Sequence, residues 1–257
     1  MENRSYIRIE TESGPCWAEE RGGEACLLTA APFFGGVDTG WRRPLDGVRL
    51  LAPFEGNKMV CVGKNYFDHI EEMKEAFGDG VPEKPVLFIK PSTCVNDPGG
   101  VVSYPAVSHR VDFEGELAIV IGRRMTHVPE SEALSYVFGY TVCNDVTARD
   151  IQKGEGQWTR GKAFDGFAPI GPRIVTGLDP AALTVITRLN GVEKQRSSTS
   201  LLIRGAAELL AFITEAITLL PGDVVLTGTP AGVGPMEKGD TVEVEIPGIG
   251  VLRNEVG

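Results

Sequence analysis

Two acidic residues at the start of an apolar strand constrain this chain more than any other feature. Glu114 and Glu116 come directly before the apolar run at residues 117–121, whose composition is typical of a buried strand. Side chains two apart on a strand point to the same face, so both carboxylates should project from one surface. A third carboxylate, Asp145, follows a second strand-like run at residues 139–142. If the two strands are neighbours, the three carboxylates converge.

Such a convergence has a chemical consequence. Like charges held close together resist burial unless a cation offsets them. Ligands that are all oxygen suit Mg²⁺, Mn²⁺ or Ca²⁺ rather than zinc. The alternative is an edge strand that carries two solvated glutamates, with an unrelated aspartate in a turn.

Charge and cysteine content exclude several classes of protein. The 257 residues carry a formal net charge of −10, which argues against nucleic acid or an anionic membrane as a partner. An anionic substrate would therefore need local positive charge. The five cysteines form no CxxC pair, which fits a reducing cytoplasm rather than a disulfide framework. The charged N-terminal segment and the lack of a long apolar run predict no signal peptide and no membrane helix, so we expect a soluble cytoplasmic protein.

The chain is predicted to be α+β and mostly β, in two parts. Residues 1–52 are predicted to form a small β domain without a titratable cluster, and residues 53–257 a larger domain. We expect Trp17 and Trp41 to pack against the larger domain. Helices are predicted at residues 129–137 and 199–220, from their capping and apolar patterns.

A histidine and a glutamate three residues apart provide a candidate general base. His69 and Glu72 share one face of a predicted helix, and a carboxylate beside an imidazole fixes its tautomer. The alternative is a surface helix with one histidine among acids. The following segment contains Gly78, Gly80 and Pro82, which favours a lid that orders over a ligand, or an ordinary exposed loop.

Four further residues are candidates for binding a substrate. Arg149 and Gln152 follow Asp145 by four and seven positions, so on a helical turn the three would form one stripe. An arginine there could orient an anionic group, or could form only a local salt bridge with Asp145. Lys162 could hold a substrate oxygen or be an ordinary lysine. The glycine-rich turn at Thr229 could aim N–H groups and a hydroxyl at a carboxylate, or be a plain hairpin; it lacks the ending of a P-loop.

Several stretches together resemble the fumarylacetoacetate hydrolase family. They are KMVCVGKNYFDHIEEM, KPVLFIKPST, DFEGELAIVIG, FGYTVCNDVTARDIQ, GKAFDGFAPIGP and LPGDVVLTGTPAGVGP, in the family's order over about residues 58–240. The resemblance implies a mixed β-roll catalytic domain, a bound divalent cation and a homodimer. It implies metal ligands at Glu114, Glu116 and Asp145. It implies contacts to a 2-oxo acid from Arg149, Gln152, Lys162 and Thr229, and activation of water by His69 and Glu72.

The resemblance also limits the chemistry. Members of the family include acylpyruvate hydrolases, oxaloacetate decarboxylases, and isomerases or decarboxylases of aromatic breakdown. Residues 1–52 resemble the small N-terminal β domain of the bacterial isomerases of the hydroxymuconate type. We expect an enzyme that uses Mg²⁺, or Mn²⁺ or Ca²⁺, to stabilise an enolate of a small anionic 2-oxo or 2,4-dioxo acid. Its reaction would be hydrolysis of a C–C bond, with Lys162, His69 and Glu72 as catalytic residues. The alternatives are an isomerase or decarboxylase of hydroxymuconate-type compounds, an oxaloacetate decarboxylase, and a metal-binding protein without catalysis.

Overall fold

The computed structural model describes residues 3–78 and 80–257, so Asp79 in the predicted lid loop lies outside the described residues. Within these ranges the chain forms twenty β-strands and six short α-helices, which confirms the predicted α+β, mostly β class. No helix in the described ranges combines the length and apolar character that crossing a membrane requires.

The first five strands lie in the N-terminal part. They are β1 (Ser5–Thr11), β2 (Gly14–Arg21), β3 (Glu24–Leu28), β4 (Asp38–Pro44) and β5 (Leu50–Leu51).

The first half of the larger part contains β6 (Lys58–Gly63), α1 (Phe67–Glu72), α2 (Lys74–Phe77), β7 (Val86–Pro91), β8 (Val95–Asn96), β9 (Val101–Val102), β10 (Val111–Phe113), β11 (Gly115–Ile121), α3 (Glu130–Ala133), β12 (Val137–Asn144) and β13 (Thr147–Ala148). The second half contains α4 (Arg149–Gly154), α5 (Thr159–Lys162), β14 (Ala168–Val175), β15 (Thr184–Leu189), β16 (Val192–Ser198), α6 (Ala206–Ala216), β17 (Val224–Leu226), β18 (Gly234–Met236), β19 (Thr241–Ile246) and β20 (Gly250–Val256).

The N-terminal strands continue the main sheet of the larger part. The order along this sheet is β4-β3-β2-β1-β14-β12-β11-β17-β6-β7, and Ser5 of β1 pairs with Val175 of β14. Trp17 is buried and meets Phe33 edge-on, with ring centroids 5.3 Å apart, in a cluster shared with strands of the larger part. Trp41 is 73% exposed, so its predicted packing is wrong: it lies on β4, the sheet's edge strand, whose seven residues are all exposed.

Strand β11 lies at the centre of the main sheet and is buried on both faces. It pairs with β12 on one side and with β17 on the other. Leu117 and Ile119 belong to one apolar cluster, whereas Ala118 and Val120 belong to another. Because alternate side chains enter separate cores, the strand that follows Glu114 is fixed in register from both sides.

A second sheet and one helix cover the first of these clusters. The sheet has the order β16-β15-β19-β20-β9, and Val185 and Val244 contribute to the cluster. Helix α6 adds Leu209 and Ile213 from its apolar face. A three-stranded sheet, β13-β10-β18, lies next to the acidic segment.

Two of the predicted helices are shorter than expected. The predicted helix at 199–220 is a 3₁₀ turn at Thr199–Leu201 and then α6, because the Ser198 hydroxyl accepts from Ser200 N and Leu202 forms a bridge with Tyr66. The helix predicted at 129–137 ends at Ala133 and passes through a 3₁₀ turn into β12.

Candidate metal centre and active site

The three predicted carboxylates meet in the interior. Glu116 pairs with Cys143 and Gly115 with Asn144 in the ladder between β11 and β12, which brings Asp145 beside the two glutamates. Ligand oxygens of Glu114, Glu116 and Asp145 lie within 4.8 Å of one another, and all three residues are buried. The alternative of an exposed edge strand is therefore wrong.

The backbone on either side fixes this junction. Asp145 N donates to Glu114 O at 2.8 Å, and Glu114 N donates to Asn144 Oδ1 at 2.9 Å. Gly228 N donates to Glu116 Oε2 at 2.7 Å, so one glutamate is held by the glycine-rich turn that follows β17. The carboxylates are thus held by neighbours from three segments rather than by their own strand alone.

Lys162 bridges two of the carboxylates. It ends α5, and its Nζ donates to Glu114 Oε2 and to Asp145 Oδ2, each at 2.7 Å. Burial alone would lower the pKa of Lys162, but the charges of Asp145 and Glu114 raise it above its ordinary value. The ammonium therefore stays charged among the acids.

A second lysine lies on the other side of Asp145. Lys90 is fully buried, and its Nζ donates to the carbonyl oxygens of Val146, Lys162 and Phe167 at 3.0, 2.6 and 2.7 Å. The same nitrogen lies 2.8 Å from Asp145 Oδ1. An ammonium has three donors, and the carbonyls use all three, so this contact is a charge interaction without a hydrogen bond. Asp145 Oδ1 is accordingly a buried acceptor without a hydrogen-bond donor in the described part of the chain.

The two glutamates have opposite titration behaviour. Burial, then the charges of Asp145 and Glu114, raise the pKa of Glu116 well above its ordinary value. Burial also acts to raise the pKa of Glu114, but the charges of Lys162 and Arg149 outweigh it and lower that pKa. The charged form of Glu116 is therefore disfavoured while no cation is bound, whereas the charged form of Glu114 is stabilised by its two cationic neighbours.

Arg149 begins α4 and is tied to three side chains. Its Nε donates to Asp112 Oδ2 at 2.9 Å and its Nη1 to Gln152 Oε1 at 2.6 Å, and its Nη2 donates to Glu114 Oε1. The local pair with Asp145 that we considered is not among these bonds, because β13 separates Asp145 from the helix. The guanidinium is held at the edge of the carboxylate trio.

Thr229 lies in the pocket wall, and its hydroxyl already has two partners. Its Oγ1 donates to Gly115 O at 3.0 Å and accepts from Gln195 Nε2 at 2.8 Å. Gln195 Oε1 in turn accepts from Gly115 N at 3.0 Å. To donate this hydroxyl to a ligand, Thr229 must give up its bond to Gly115.

His69 and Glu72 form the predicted contact. His69 Nδ1 lies 3.1 Å from Glu72 Oε2 on α1. Glu72 Oε1 also accepts from Gly232 N at 2.9 Å, which joins the helix to the glycine-rich turn. His69 lines the same pocket as the carboxylate trio.

One pocket thus holds the predicted site residues, apart from Glu72, which lies behind His69. Its polar lining consists of Lys64, His69, Glu114, Glu116, Asp145, Arg149, Gln152, Lys162 and Thr229. Its apolar lining includes Val62, Ile70, Met73, Phe88 and Trp158.

Asp112 and Gln195 support the site and were not predicted as part of it, and Lys90, for which the sequence leaves open a role in the site or a cap at the end of its strand, supports it too. For Lys90, a lysine at the end of the apolar strand β7 was the available signal. For Asp112, the available signal was the position of an acidic residue two places before Glu114. Gln195 comes from β16, far away in sequence, and carries no local signal.

A β-roll that encloses a buried trio of carboxylates defines a family of known enzymes. A family model described as "Fumarylacetoacetate (FAA) hydrolase C-terminal" matches residues 58–257, and another, "Rv2993c-like, N-terminal", matches residues 5–53. The chain belongs to the fumarylacetoacetate hydrolase family, which confirms the predicted resemblance.

Individual relatives carry different activities. A 2-hydroxyhepta-2,4-diene-1,7-dioate isomerase from Mycobacterium marinum has 45% sequence identity and a TM-score of 0.89, with 98% of each chain covered. The mitochondrial oxaloacetate tautomerase FAHD2A of Bos taurus is 40% identical over 83% of this chain and 71% of its own. The fumarylpyruvate hydrolase of Pseudomonas aeruginosa, solved in complex with Mn²⁺ and pyruvate, has 34% identity and a TM-score of 0.73, with 79% of this chain and 90% of that chain covered.

The residues present fit a divalent cation. The donor set is all carboxylate, and Asp145 Oδ1 is a buried oxygen without a hydrogen bond in the described ranges. Burial, then the charges of Asp145 and Glu114, raise the pKa of Glu116, and a cation at this point would offset these effects. Hard oxygen ligands of this kind hold Mg²⁺ or Mn²⁺.

Proposed function

We propose that the protein is a divalent-cation-dependent enzyme that hydrolyses a C–C bond in a small 2,4-dioxo acid. The observation that carries the proposal is that His69, backed by Glu72, lines the same pocket as the buried trio of carboxylates. A hydrolase needs a base for water next to the group that stabilises the developing negative charge, and this pocket combines the two.

Glu114, Glu116 and Asp145 would hold the cation, with Mg²⁺ as the first choice and Mn²⁺ or Ca²⁺ as alternatives. When bound, the cation supplies a Lewis acid for the oxygens of the 2-oxo acid. Its positive charge also lowers the energy of the buried carboxylates. Side chains of this chain would carry out the remaining steps of the reaction.

Arg149, Gln152, Lys162 and Thr229 would bind the carboxylate and 2-oxo end of the substrate. Lys162 Nζ donates two of its three N–H bonds to Glu114 and Asp145. An ammonium has three such donors, so the third could bind a substrate oxygen. The ammonium of Lys162 would stabilise the negative charge that develops on the 2-oxo oxygen as the C3–C4 bond breaks.

His69 would take a proton from the attacking water at its Nε2. Glu72 holds the other ring nitrogen, Nδ1, and so fixes the tautomer in which Nε2 is the acceptor. Gly232 N holds the second oxygen of Glu72 and keeps the pair at the pocket. Attack of the water on the C4 carbonyl and cleavage of the C3–C4 bond release pyruvate and a carboxylic acid.

A second candidate is proton transfer without cleavage, as in a tautomerase or isomerase. It is favoured by the 40% identity to an oxaloacetate tautomerase and by the isomerase structure that covers 98% of the chain. In this reaction His69 would move a proton at carbon C3 instead of activating water. Decarboxylation of oxaloacetate would use the same binding groups.

The test is to follow pyruvate release from 2,4-dioxopentanoate with metal-stripped protein, and then with Mg²⁺ or Mn²⁺ added. We expect no turnover without metal and loss of turnover in His69→Ala, by a factor of about 10² to 10⁴, the usual contribution of a general base. His109→Ala is the matched control, since His109 is an 87%-exposed histidine outside the pocket.

Two outcomes would contradict the hydrolase proposal. Turnover that persists in metal-free buffer would show that the reaction does not need a cation bound by the carboxylate trio. Tautomerisation of oxaloacetate without any cleavage of 2,4-dioxo acids would select the second candidate. We expect His69→Ala to lose hydrolysis more than decarboxylation, and equal loss of both would speak against water activation.

The remaining proposals concern location and assembly. The family resemblance supports a homodimer, and light scattering after size-exclusion chromatography measures it. The net charge of −10 and the absence of paired cysteine motifs support a cytoplasmic protein that binds a small anion rather than nucleic acid.

A further inference from the structure

One buried amide side chain joins the strand that carries the carboxylate trio to the glycine-rich turn. Gln195 lies on β16, at the edge of the second sheet, and is 1% exposed. Its Oε1 accepts from Gly115 N at 3.0 Å, and its Nε2 donates to Thr229 Oγ1 and to Pro230 O, each at 2.8 Å. Gly115 lies between the two glutamates of the trio, so the amide contacts the backbone that joins them.

The directions of these hydrogen bonds follow from groups that can act in one way only. A backbone N–H only donates and a carbonyl oxygen only accepts, so Gln195 turns its oxygen towards Gly115 and its NH₂ group towards Pro230. Thr229 Oγ1 accepts from the amide and donates its own proton to Gly115 O at 3.0 Å. We call the hydrogen bonds from Gln195 through Thr229 to Gly115 O the relay. Gln195 therefore holds both backbone groups of Gly115, one directly and the other through the relay.

The lack of a side chain at Gly115 lets these groups approach. A Cβ built there would lie 2.1 Å from Thr187 Oγ1 and 3.3 Å from Gln195 Oε1. Gly115 is also the first residue of β11, and its neighbour β17 is paired in register only with Ala118 to Val120. Glycine is the least restrained residue, so its backbone needs partners beyond the end of that ladder. Gln195 and the relay provide them.

An irregularity in β16 brings the amide to this place. The register between β15 and β16 shifts directly after the pair of Thr187 and Gln195, and Lys194 is the extra residue of β16. Such bulges redirect side chains and are common next to functional sites. The bulge also lies against the glycine-rich turn, since a Cβ on Gly232 would be 2.0 Å from Lys194 O.

The glycine-rich turn supported in this way holds two acids of the site. Gly228 N donates to Glu116 Oε2 at 2.7 Å, and Gly232 N donates to Glu72 Oε1 at 2.9 Å. Gln195 bonds to the two residues that follow Gly228. The same amide thus fixes the backbone next to Glu116 and supports the turn that orients its carboxylate.

We propose that Gln195 is a positioning residue for the cation, which sets the separation of the Glu114 and Glu116 carboxylates and links them to the turn. The inference rests on the cation of the proposed function. It assigns a role to a residue that is not among the described residues lining the catalytic pocket. Groups behind metal ligands are part of a metal site because they orient the ligands, and Gln195 does this through the backbone.

The test measures Mn²⁺ affinity by calorimetry on metal-stripped protein. Gln195→Met keeps the length of the side chain but removes its acceptor and both of its donors. We expect the Mn²⁺ dissociation constant to rise by about 10- to 100-fold, the usual effect of losing a group that supports a metal ligand. Circular dichroism and thermal unfolding check that the variant folds.

A second buried amide provides the matched control. Asn254 on β20 is 2% exposed, and its Nδ2 donates to Asp97 O and to Gly100 O, each at 2.9 Å. None of these three residues is among the described residues that line the catalytic pocket. Asn254→Leu should lower the unfolding temperature, because it removes two buried hydrogen bonds. It should leave the Mn²⁺ dissociation constant within about twofold of the wild-type value, as expected for distant sites.

A double-mutant cycle tests the relay. Thr229→Val removes the hydroxyl and should raise the Mn²⁺ dissociation constant by about threefold to tenfold, the range of one hydrogen bond. Because Gln195→Met breaks the same relay, the double variant should lose less affinity than the product of the two single losses. Should Gln195→Met not fold, wild-type Mn²⁺ affinity in Thr229→Val would by itself contradict the proposal.

The outcomes separate this inference from the proposed function. Folded Gln195→Met that binds Mn²⁺ within about twofold of wild type would overturn the positioning role and leave the cation-dependent function standing. An equal loss of affinity in Asn254→Leu would also overturn it, because any destabilisation would then weaken the site. Failure of the wild type to bind Mn²⁺ would overturn both the inference and the proposed function.

Discussion

Substitution of Lys90 by methionine should destabilise the fold strongly, although the sequence leaves open whether Lys90 belongs to the site. The ammonium is fully buried and donates to the carbonyls of Val146, Lys162 and Phe167. It also lies 2.8 Å from Asp145 Oδ1. Methionine keeps the length of the side chain and its packing but removes all four contacts.

The expected loss of unfolding free energy follows from the buried groups that lose their partner when the ammonium is removed. Removing one partner of a buried ion pair costs about 3–5 kcal/mol where the other charge is left without compensation, and Asp145 would keep only its bond to Lys162. Each buried carbonyl that loses its donor adds about 1–3 kcal/mol, but contacts of one group are not additive. We therefore expect the free energy of unfolding to fall by about 3–5 kcal/mol in Lys90→Met.

Urea denaturation followed by tryptophan fluorescence measures the change, provided that the slope m stays constant. Lys153→Met is the matched control, and as an exposed substitution it should change the unfolding free energy by no more than about 0.5 kcal/mol. A loss below about 1 kcal/mol in Lys90→Met at unchanged m would refute the reasoning, since that is the scale of a single ordinary hydrogen bond.

Three further substitutions test other parts of the site. Glu116→Gln should weaken Mn²⁺ binding by about 100-fold or more in calorimetry, and affinity equal to wild type would exclude Glu116 as a ligand. Gly63→Ala should lower the unfolding free energy by about 1–3 kcal/mol, because a Cβ would lie 2.3 Å from the Trp158 ring; an unchanged value would mean that the ring moves freely. Gln195→Leu should cost about 1–3 kcal/mol in urea denaturation by leaving Gly115 N without its acceptor, and full stability would indicate that water replaces it.

The sequence predicted those parts of the site that depend on short-range periodicity. Glu116 lies on β11 and Glu114 directly precedes that strand, and their carboxylates converge as the spacing predicted. The three-residue spacing of His69 and Glu72 is kept within α1 and follows from the geometry of that one helix. The position of Asp145 required only that two adjacent segments form an antiparallel pair.

The parts that the sequence did not predict depend on contacts between distant segments. Lys90 bonds to carbonyls that lie 56, 72 and 77 positions away. Gln195 reaches Gly115 over 80 positions. The predicted helix at 199–220 was too long because its apolar pattern does not reveal that the Ser198 hydroxyl and a bridge to Tyr66 stabilise a different local structure.

Charge balance near the trio bears on what the proposed cation and substrate would have to supply. Four buried carboxylates lie beside three buried cations, and the partly exposed Arg110 pairs with Asp112 as a fourth cation: Asp112, Glu114, Glu116 and Asp145 against Lys90, Arg149, Lys162 and Arg110. With all four carboxylates ionised these charges balance, and a divalent cation would add two positive charges. The carboxylate of the proposed 2-oxo acid and the negative charge that develops on its 2-oxo oxygen would offset those two charges, and buried charge favours such a balance.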